Sequence, residues 1–379
     1  MNNKEIGFLF GSGISIPAGF DCTYQLTQRV LNRKNIIREA TIGWTKIENN
    51  KEVENRILWD RYIEYGNRVD KLLEIINAYF SKYFLELNRK MTYEDYYYII
   101  DSLNRDESGD FENPIVNFFS NYLIEKYPEL FLPLGRKDGP SIDLISLTSE
   151  AKDYIRYSVF DSLDIEPTDI KYLNFIKQLN LKKQFSSIHI FTLNHDLLLE
   201  KYLDENRIKY SDGFAENING KKSFNGYFSE HIKLYKLHGS VDWFATSGKT
   251  RYDSKVIKNT KSNNPLILIG TFNKLSDYSR NIAFELQHLF YSALKTVNTL
   301  IVAGYGFGDQ GINSRIINWI NNNSNNKIIL IHPNPDQLKM TARKAISHEW
   351  IDWLNDGILK TIPKCIQELK LKDIIEKLQ

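Results

Sequence analysis

The chain opens on an apolar run, Ile6-Gly7-Phe8-Leu9-Phe10, that ends in Gly11-Ser12-Gly13-Ile14-Ser15. An apolar run closed by glycines ahead of a helical pattern reads as a strand, a tight turn and a helix. No further run of this kind follows until Ile188. A buried strand needs partners on both edges. Ile6–Phe10 is therefore expected to pair with strands from the second half of the chain. Everything between then becomes an insertion that leaves one α/β unit and returns to it.

The stretch from Asp21 to Gln184 is helical in character. Ile57, Arg61, Tyr62, Tyr65, Val69, Leu72, Leu73, Ile76 and Phe80 recur at helical spacing. Thr92 with Asp95, and Asn113 with Pro114, mark helix starts. Helical patterns return at about 142–160 and 167–181, after a Gly- and Pro-containing loop over 131–140, and no alternation of strands and helices is expected here. From Ser187 onward the pattern changes. Short runs at 188–193, 232–237, 266–269, 300–303 and 328–331 read as strands, with helical patterns such as 282–294 and 312–320 between several of them. Such alternation predicts an α/β fold, a Rossmann-like parallel sheet with helices on both faces. The expected division is 1–20 with 185–379 as the sheet domain and 21–184 as a helical insertion.

Composition narrows the classes. The hydrophobic share of 42% is ample for a core and excludes a wholly disordered chain. Forty-nine basic against 47 acidic residues leave a net charge of +2. Bulk electrostatics therefore give no reason to expect direct nucleic-acid binding. No run approaches the roughly 20 apolar residues of a membrane span, and the N-terminus does not read as a signal peptide. Two cysteines, Cys22 and Cys365, cannot make a four-cysteine zinc site. The expectation is a cytoplasmic protein without structural zinc or a membrane span.

Five turns carry the polar and glycine residues, and each follows a predicted strand. At Gly11-Ser12-Gly13-Ile14-Ser15, glycines allow close backbone approach to a phosphate ahead of a helix N-terminus. Ile16 stands where the dinucleotide fingerprint wants a third glycine, so a tight turn without a ligand reads equally well. In Thr192-Leu193-Asn194-His195-Asp196, Asn194 or Asp196 can cap the following helix. His238, in Leu237-His238-Gly239-Ser240, suits a general base near neutral pH, although a structural turn histidine is the commoner case. Gly304-Tyr305-Gly306-Phe307-Gly308-Asp309 is a second glycine-rich turn, and His332 follows the last of these strands. Five such turns on one rim of a parallel sheet point to a nucleotide site.

The ordered set resembles the sirtuin superfamily, the silent-information-regulator type of NAD-binding domain. Sirtuins open with Gly-Ala-Gly-x-Ser, where this chain has Gly11-Ser12-Gly13-Ile14-Ser15. They continue with Thr-Gln-Asn-x-Asp, here Thr192–Asp196, and place the catalytic histidine in a His-Gly pair, here His238-Gly239. Their later Gly-Thr-Ser turn matches Gly304-Tyr305-Gly306 in place, and their Ile-Asn turn matches Ile331-His332. The departures are equally specific. There is no cysteine for the zinc ribbon of the deacylating enzymes, and Ile16-Pro17-Ala18-Gly19-Phe20 lacks the Asp and Arg of their Ile-Pro-Asp-Phe-Arg. The pattern is more similar to zinc-free sirtuin-like domains of bacterial antiphage defence, above all the subunit that partners a HerA-type ATPase.

That resemblance implies an NAD+ glycohydrolase effector, an NADase that cuts the nicotinamide–ribose bond and depletes cellular NAD+. The alternatives are an NAD-dependent protein deacylase and a non-catalytic NAD or ADP-ribose scaffold for an ATPase. It implies Asn194 and His238 as catalytic. Gly11, Ser12, Gly13, Ser15, Thr192, Asp196, Gly304, Gly306 and His332 would bind NAD+, which is the substrate, with no metal required. A homo-oligomer and a HerA-type ATPase are the implied partners. Asp309 can be an N-cap or a ligand residue.

Overall fold

A computed structural model describes residues 4–39, 42–47, 59–110, 112–134, 141–216, 221–246, 255–258, 265–270 and 281–379. Strand β1 (Glu5–Phe10) is the middle of a seven-stranded sheet. Between it and the next strand of that sheet come helices α1 (Thr23–Asn32), α2 (Trp59–Glu86), α3 (Tyr93–Glu107), α4 (Pro114–Lys126), α5 (Leu144–Leu163) and α6 (Asn174–Lys182). The starts of α3 and α4 are as the sequence predicts. Thr92 and Asp95 form a capping box, and Asn113 caps α4 with Pro114 in its first turn. Ile57 and residues 135–140 of the expected loop lie outside the described residues.

One expectation for this stretch is corrected. A hairpin, β2 (Ile36–Glu39) with β3 (Gly43–Lys46), sits among the helices. Its signal is too short to stand out, and its stability comes from tertiary contacts. Arg38 pairs with Glu150 at 2.7 Å, the Trp44 indole donates to Glu150, and Trp44 packs on Tyr154.

The second half supplies the remaining strands, β4 (Ser187–Thr192), β5 (Tyr210–Ser211), β6 (Phe214–Glu216), β7 (Lys222–Phe224), β8 (Ile232–Lys236), β9 (Trp243–Ala245), β10 (Val256–Lys258), β11 (Val297–Ala303), β12 (Lys327–Ile331) and β13 (Leu359–Ile362). The main sheet runs β13-β12-β11-β1-β4-β8-β5, parallel throughout. After β1 the chain fills one side of the sheet, then crosses to β11 and builds the other. The crevice between β1 and β11 is thus the topological switch point, where ligands of open α/β sheets bind.

Burial on both faces explains the unbroken apolar runs. Ile6, Phe8 and Phe10 join a core shared with Ile190, Leu234 and helices α1 to α6, so those helices cover one face. Leu9, Phe191 and Val302 face the opposite core, with Phe290 from α8 (Asn281–Leu294) and Ile312, Ile316 and Trp319 from α9 (Gln310–Asn322).

Two further readings change. The 266–269 run is not a sheet strand. Ile267 makes one antiparallel bridge to Gly239, and Leu268 N–H donates to the His238 carbonyl at 2.9 Å. A four-residue apolar run does not separate a strand from a buried loop by periodicity. A small antiparallel sheet, β6-β7-β10-β9, was not expected, because strands of three residues carry no pattern. Phe214, Phe224 and Trp243 cluster within it.

Candidate functional site at the carboxyl ends of the strands

The turns after β1 and β11 lock together. Gly11 N–H donates to the Ala303 carbonyl at 3.1 Å and Gly13 N–H to the Gly304 carbonyl at 3.0 Å. A Cβ on Gly11 would lie 2.6 Å from the Gly304 oxygen, and one on Gly13 would lie 2.7 Å from the Gly304 Cα. Gly304 has φ +65°, and its Cβ would lie 2.4 Å from the Ile14 nitrogen. Close packing of one turn on the other therefore already requires three of the predicted cofactor glycines. Gly306 differs, because it is exposed and nothing lies within 4 Å of its Cβ position. Ser12 is exposed too, whereas Ser15 is buried.

The turn after β4 is pinned to the turn after β1. Asn194, 7% exposed, donates through Nδ2 to the Gly11 carbonyl at 3.1 Å and to Ser15 Oγ at 2.9 Å. These bonds assign the amide's orientation and leave Oδ1 as its remaining polar atom. Thr192 Oγ1 accepts from the Asn194 N–H. The Asp196 carboxylate accepts from the Leu198 N–H at the start of α7 (Leu198–Glu205), but the N-cap position is Leu197, so Asp196 steadies the entry to the helix from one residue before the cap. Burial raises the Asp196 pKa, and the Lys236 ammonium and the Ser15 hydroxyl oppose that shift.

His238, 4% exposed, lies in the turn two residues past the neighbouring strand β8. Its Nε2 lies 3.2 Å from Oδ2 of Asp309, while Oδ1 of that carboxylate caps α9 through the Ile312 N–H at 3.0 Å. Asp309 is thus a cap and a histidine partner at once. Tyr305 holds the turn from within, donating to Asn313 Oδ1 at 2.8 Å, and burial pushes its pKa far up. The His195 and His238 rings stand 6.2 Å apart. Gly239, at φ +79°, turns the chain where a Cβ would meet the Leu266 carbonyl oxygen at 2.0 Å.

Asn194, Asp196, Ser15, Gly11 and Thr192 therefore form one hydrogen-bonded group, with His238 in the turn past the adjacent strand. His332 is half-buried after β12, two strands from β1, with Nδ1 accepting from the Asn334 N–H. Among the described residues no hydrogen bond joins it to the others. The pairing of Asp309 with His238 could not be read from spacing. Lys236 was missed too, although it continues the core-facing phase of Ile232 and Leu234, where a lysine is out of place.

An imidazole hydrogen-bonded to a carboxylate takes up a proton with its charge compensated on the spot. A fixed amide oxygen nearby accepts from a hydroxyl or a water. No group of three or more His, Cys, Asp or Glu that could hold a metal ion occurs among the described residues. Nor does any described helix have the length and apolarity to cross a membrane.

Residues 188–354 match the model of the SIR2-like domain. This SIR2-like stretch is a little under half of the chain and runs from β4 past α9. It contains Asn194, His238, Gly304, Asp309 and His332 but begins after β1 and its turn. No curated protein sequence matches the chain. Solved structures similar to it include a Sir2 homologue mutant in complex with ADP-ribose (11% identity, TM-score 0.39, 100% of this chain and 92% of that one). Others are Sir2 with a p53 peptide and NAD+ (11%, 0.38, 99% and 94%) and Sir2 with EX-527, 2'-O-acetyl-ADP-ribose and deacetylated p53 peptide (11%, 0.37, 98% and 93%). None of these similarities assigns a role to a residue of this chain.

Proposed function

We propose that the chain is an NAD+ glycohydrolase, with Asn194 and His238 as its catalytic residues. The observation that carries this reading is the 3.2 Å pair of His238 and Asp309, placed one strand from the fixed amide of Asn194. The reaction needs little else. The bond between nicotinamide and ribose C1′ breaks and nicotinamide leaves as a neutral molecule. Water bonds to C1′ and gives its proton to the imidazole of His238. Asn194 Oδ1 accepts from that water or from a ribose hydroxyl. Gly11, Ser12, Gly13 and Ser15 face the pyrophosphate, Gly304, Gly306 and His332 the adenosine half, and Asp196 the nicotinamide carboxamide, with Thr192 also binding the dinucleotide. Positioning and general base catalysis each supply a few orders of magnitude.

The resemblance in motifs extends the proposal to its setting. There the chain acts in antiphage defence as a homo-oligomer with a HerA-type ATPase, and residues 21–184 are the insertion that distinguishes it from deacylating sirtuins. The test is direct. Purified chain, alone and with such an ATPase, is incubated with NAD+ and free nicotinamide is followed. Release that vanishes in Asn194→Ala and His238→Ala supports the proposal. Unchanged release in both variants refutes it, and stoichiometric consumption of an acetyl-lysine peptide favours deacylation.

A further inference from the structure

Lys236 is 1% exposed, at the point where two functional turns diverge. In the pairing of β4 with β8, Thr192 stands opposite Lys236. The Leu237 N–H donates to the Thr192 carbonyl at 2.9 Å, and beyond it the backbones part until the Val241 N–H donates to the His195 carbonyl at 3.0 Å. One enters Asn194-His195-Asp196 and the other His238-Gly239. Across that gap the Lys236 ammonium donates to the Asp196 carbonyl oxygen and lies 2.9 Å from Glu200 Oε1 on α7. A buried ammonium is tolerated only when paired and hydrogen-bonded, and a methionine would fill the same space without that demand.

A second group of charges lies nearby, and Lys258 and Asp242 both act on Glu200 electrostatically. Lys258 of β10 is 2.5 Å from Asp212 Oδ2 and 3.8 Å from Asp242 Oδ2. Asp242 lies in the next turn, Ser240–Trp243, closed by the Trp243 N–H to the Ser240 carbonyl. Of these charges, Lys236 is the one whose side chain reaches the Asn194 turn.

We propose that Lys236 is a positioning residue, whose ammonium bridges the Asn194–Asp196 turn to strand β8 and so sets the amide of Asn194 against the imidazole of His238. The proposal rests on the NAD+-cleavage reading for its kinetic consequence, but not for its structural one.

The test uses the full chain with Lys236→Met and with the double variant Lys236→Met/Glu200→Met, which leaves neither partner buried alone. If the single variant fails to fold, the double variant is read. Backbone hydrogen exchange is expected to quicken over residues 193–198 while β4 and β8 stay protected. For NAD+ turnover, kcat should fall by about 10²-fold, with KM held within about threefold. A merely structural lysine predicts otherwise. A folded double variant with wild-type exchange at 193–198, or with wild-type kcat, overturns the proposal. If the wild-type chain releases no nicotinamide with or without an ATPase, the glycohydrolase reading fails on its own. The exchange measurement then decides Lys236, for or against.

Discussion

Nε2 of His238 lies 3.2 Å from Oδ2 of Asp309, and the other oxygen of that carboxylate caps α9. One side chain thereby joins His238, the proposed base, to the rigid start of a helix. The two duties separate by substitution. Asparagine caps as well as aspartate, so Asp309→Asn should change stability by less than about 1 kcal/mol. It removes the charge opposite the imidazole, and nicotinamide release should fall by about 10²-fold or more. Asp309→Ala should lose the cap as well, about 0.5–2 kcal/mol by denaturant titration. Full activity in Asp309→Asn would remove the carboxylate from the mechanism.

Asn194 holds two turns together as well as facing the proposed substrate. Asn194→Ala removes one donor from the Gly11 carbonyl and one from Ser15 Oγ. It should cost about 1–3 kcal/mol in stability and abolish nicotinamide release. His238→Ala should abolish release with its own, independent stability change. Thermal unfolding of both variants alongside the assay distinguishes lost chemistry from lost fold.

The glycines sort into two groups by what surrounds them. Gly304→Ala meets the Ile14 nitrogen at 2.4 Å in a left-handed conformation. That conformation alone costs about 1–3 kcal/mol, so the melting temperature should fall. Gly306→Ala meets no atom within 4 Å, and its stability should hold within about 0.5 kcal/mol. A raised KM for NAD+ in this folded variant is the expected outcome, since only a bound ligand would feel the new methyl group.

His189 and Glu5 predict an acid limb in stability. His189 Nε2 is 3.0 Å from Glu5 Oε2 and Nδ1 is 3.3 Å from the Tyr235 hydroxyl. Burial, with the nearby Lys233 charge, lowers the His189 pKa below its ordinary 6.5, against the pull of Glu5. Glu5 is lowered below 4.5, because the Thr296 hydroxyl and His189 outweigh its own burial. An unfolded chain therefore binds protons before the folded one as pH drops. Stability should decline as pH falls below about 6.5, with Glu5 adding to the loss below about 4.5. His189→Gln keeps a donor toward Glu5 and should flatten the upper part of that decline in urea midpoints measured across pH. An unchanged slope would assign the acid sensitivity to other groups.

Residues 6–10 disclosed the central strand, because an apolar run ending in glycines has few other readings. The five strand-end turns were legible for the same reason, since chain order alone places them on one rim of a parallel sheet. The hairpin at 36–46 and the sheet of three-residue strands were not legible. Their stability comes from partners such as Glu150, Tyr154 and Trp243, which are remote in the chain or outside any periodicity. The bond from Asp309 to His238 was hidden likewise, because a caps-first reading of an acid before a helix is locally sufficient. Gly11, Gly13 and Gly304 were read as ligand glycines, and the structure supplies a second reason for each in backbone contact between the two turns.

The central place of β1 also bears on how the chain reaches its native state. Its neighbour β11 ends at Ala303, so at synthesis rates of about 5–20 residues per second the first strand leaves the ribosome roughly 15–60 s before its second edge has a partner. Such distant pairing makes for slow assembly. The early helices, which already share a core with Ile6, Phe8 and Phe10, are the natural shelter for that strand while it waits.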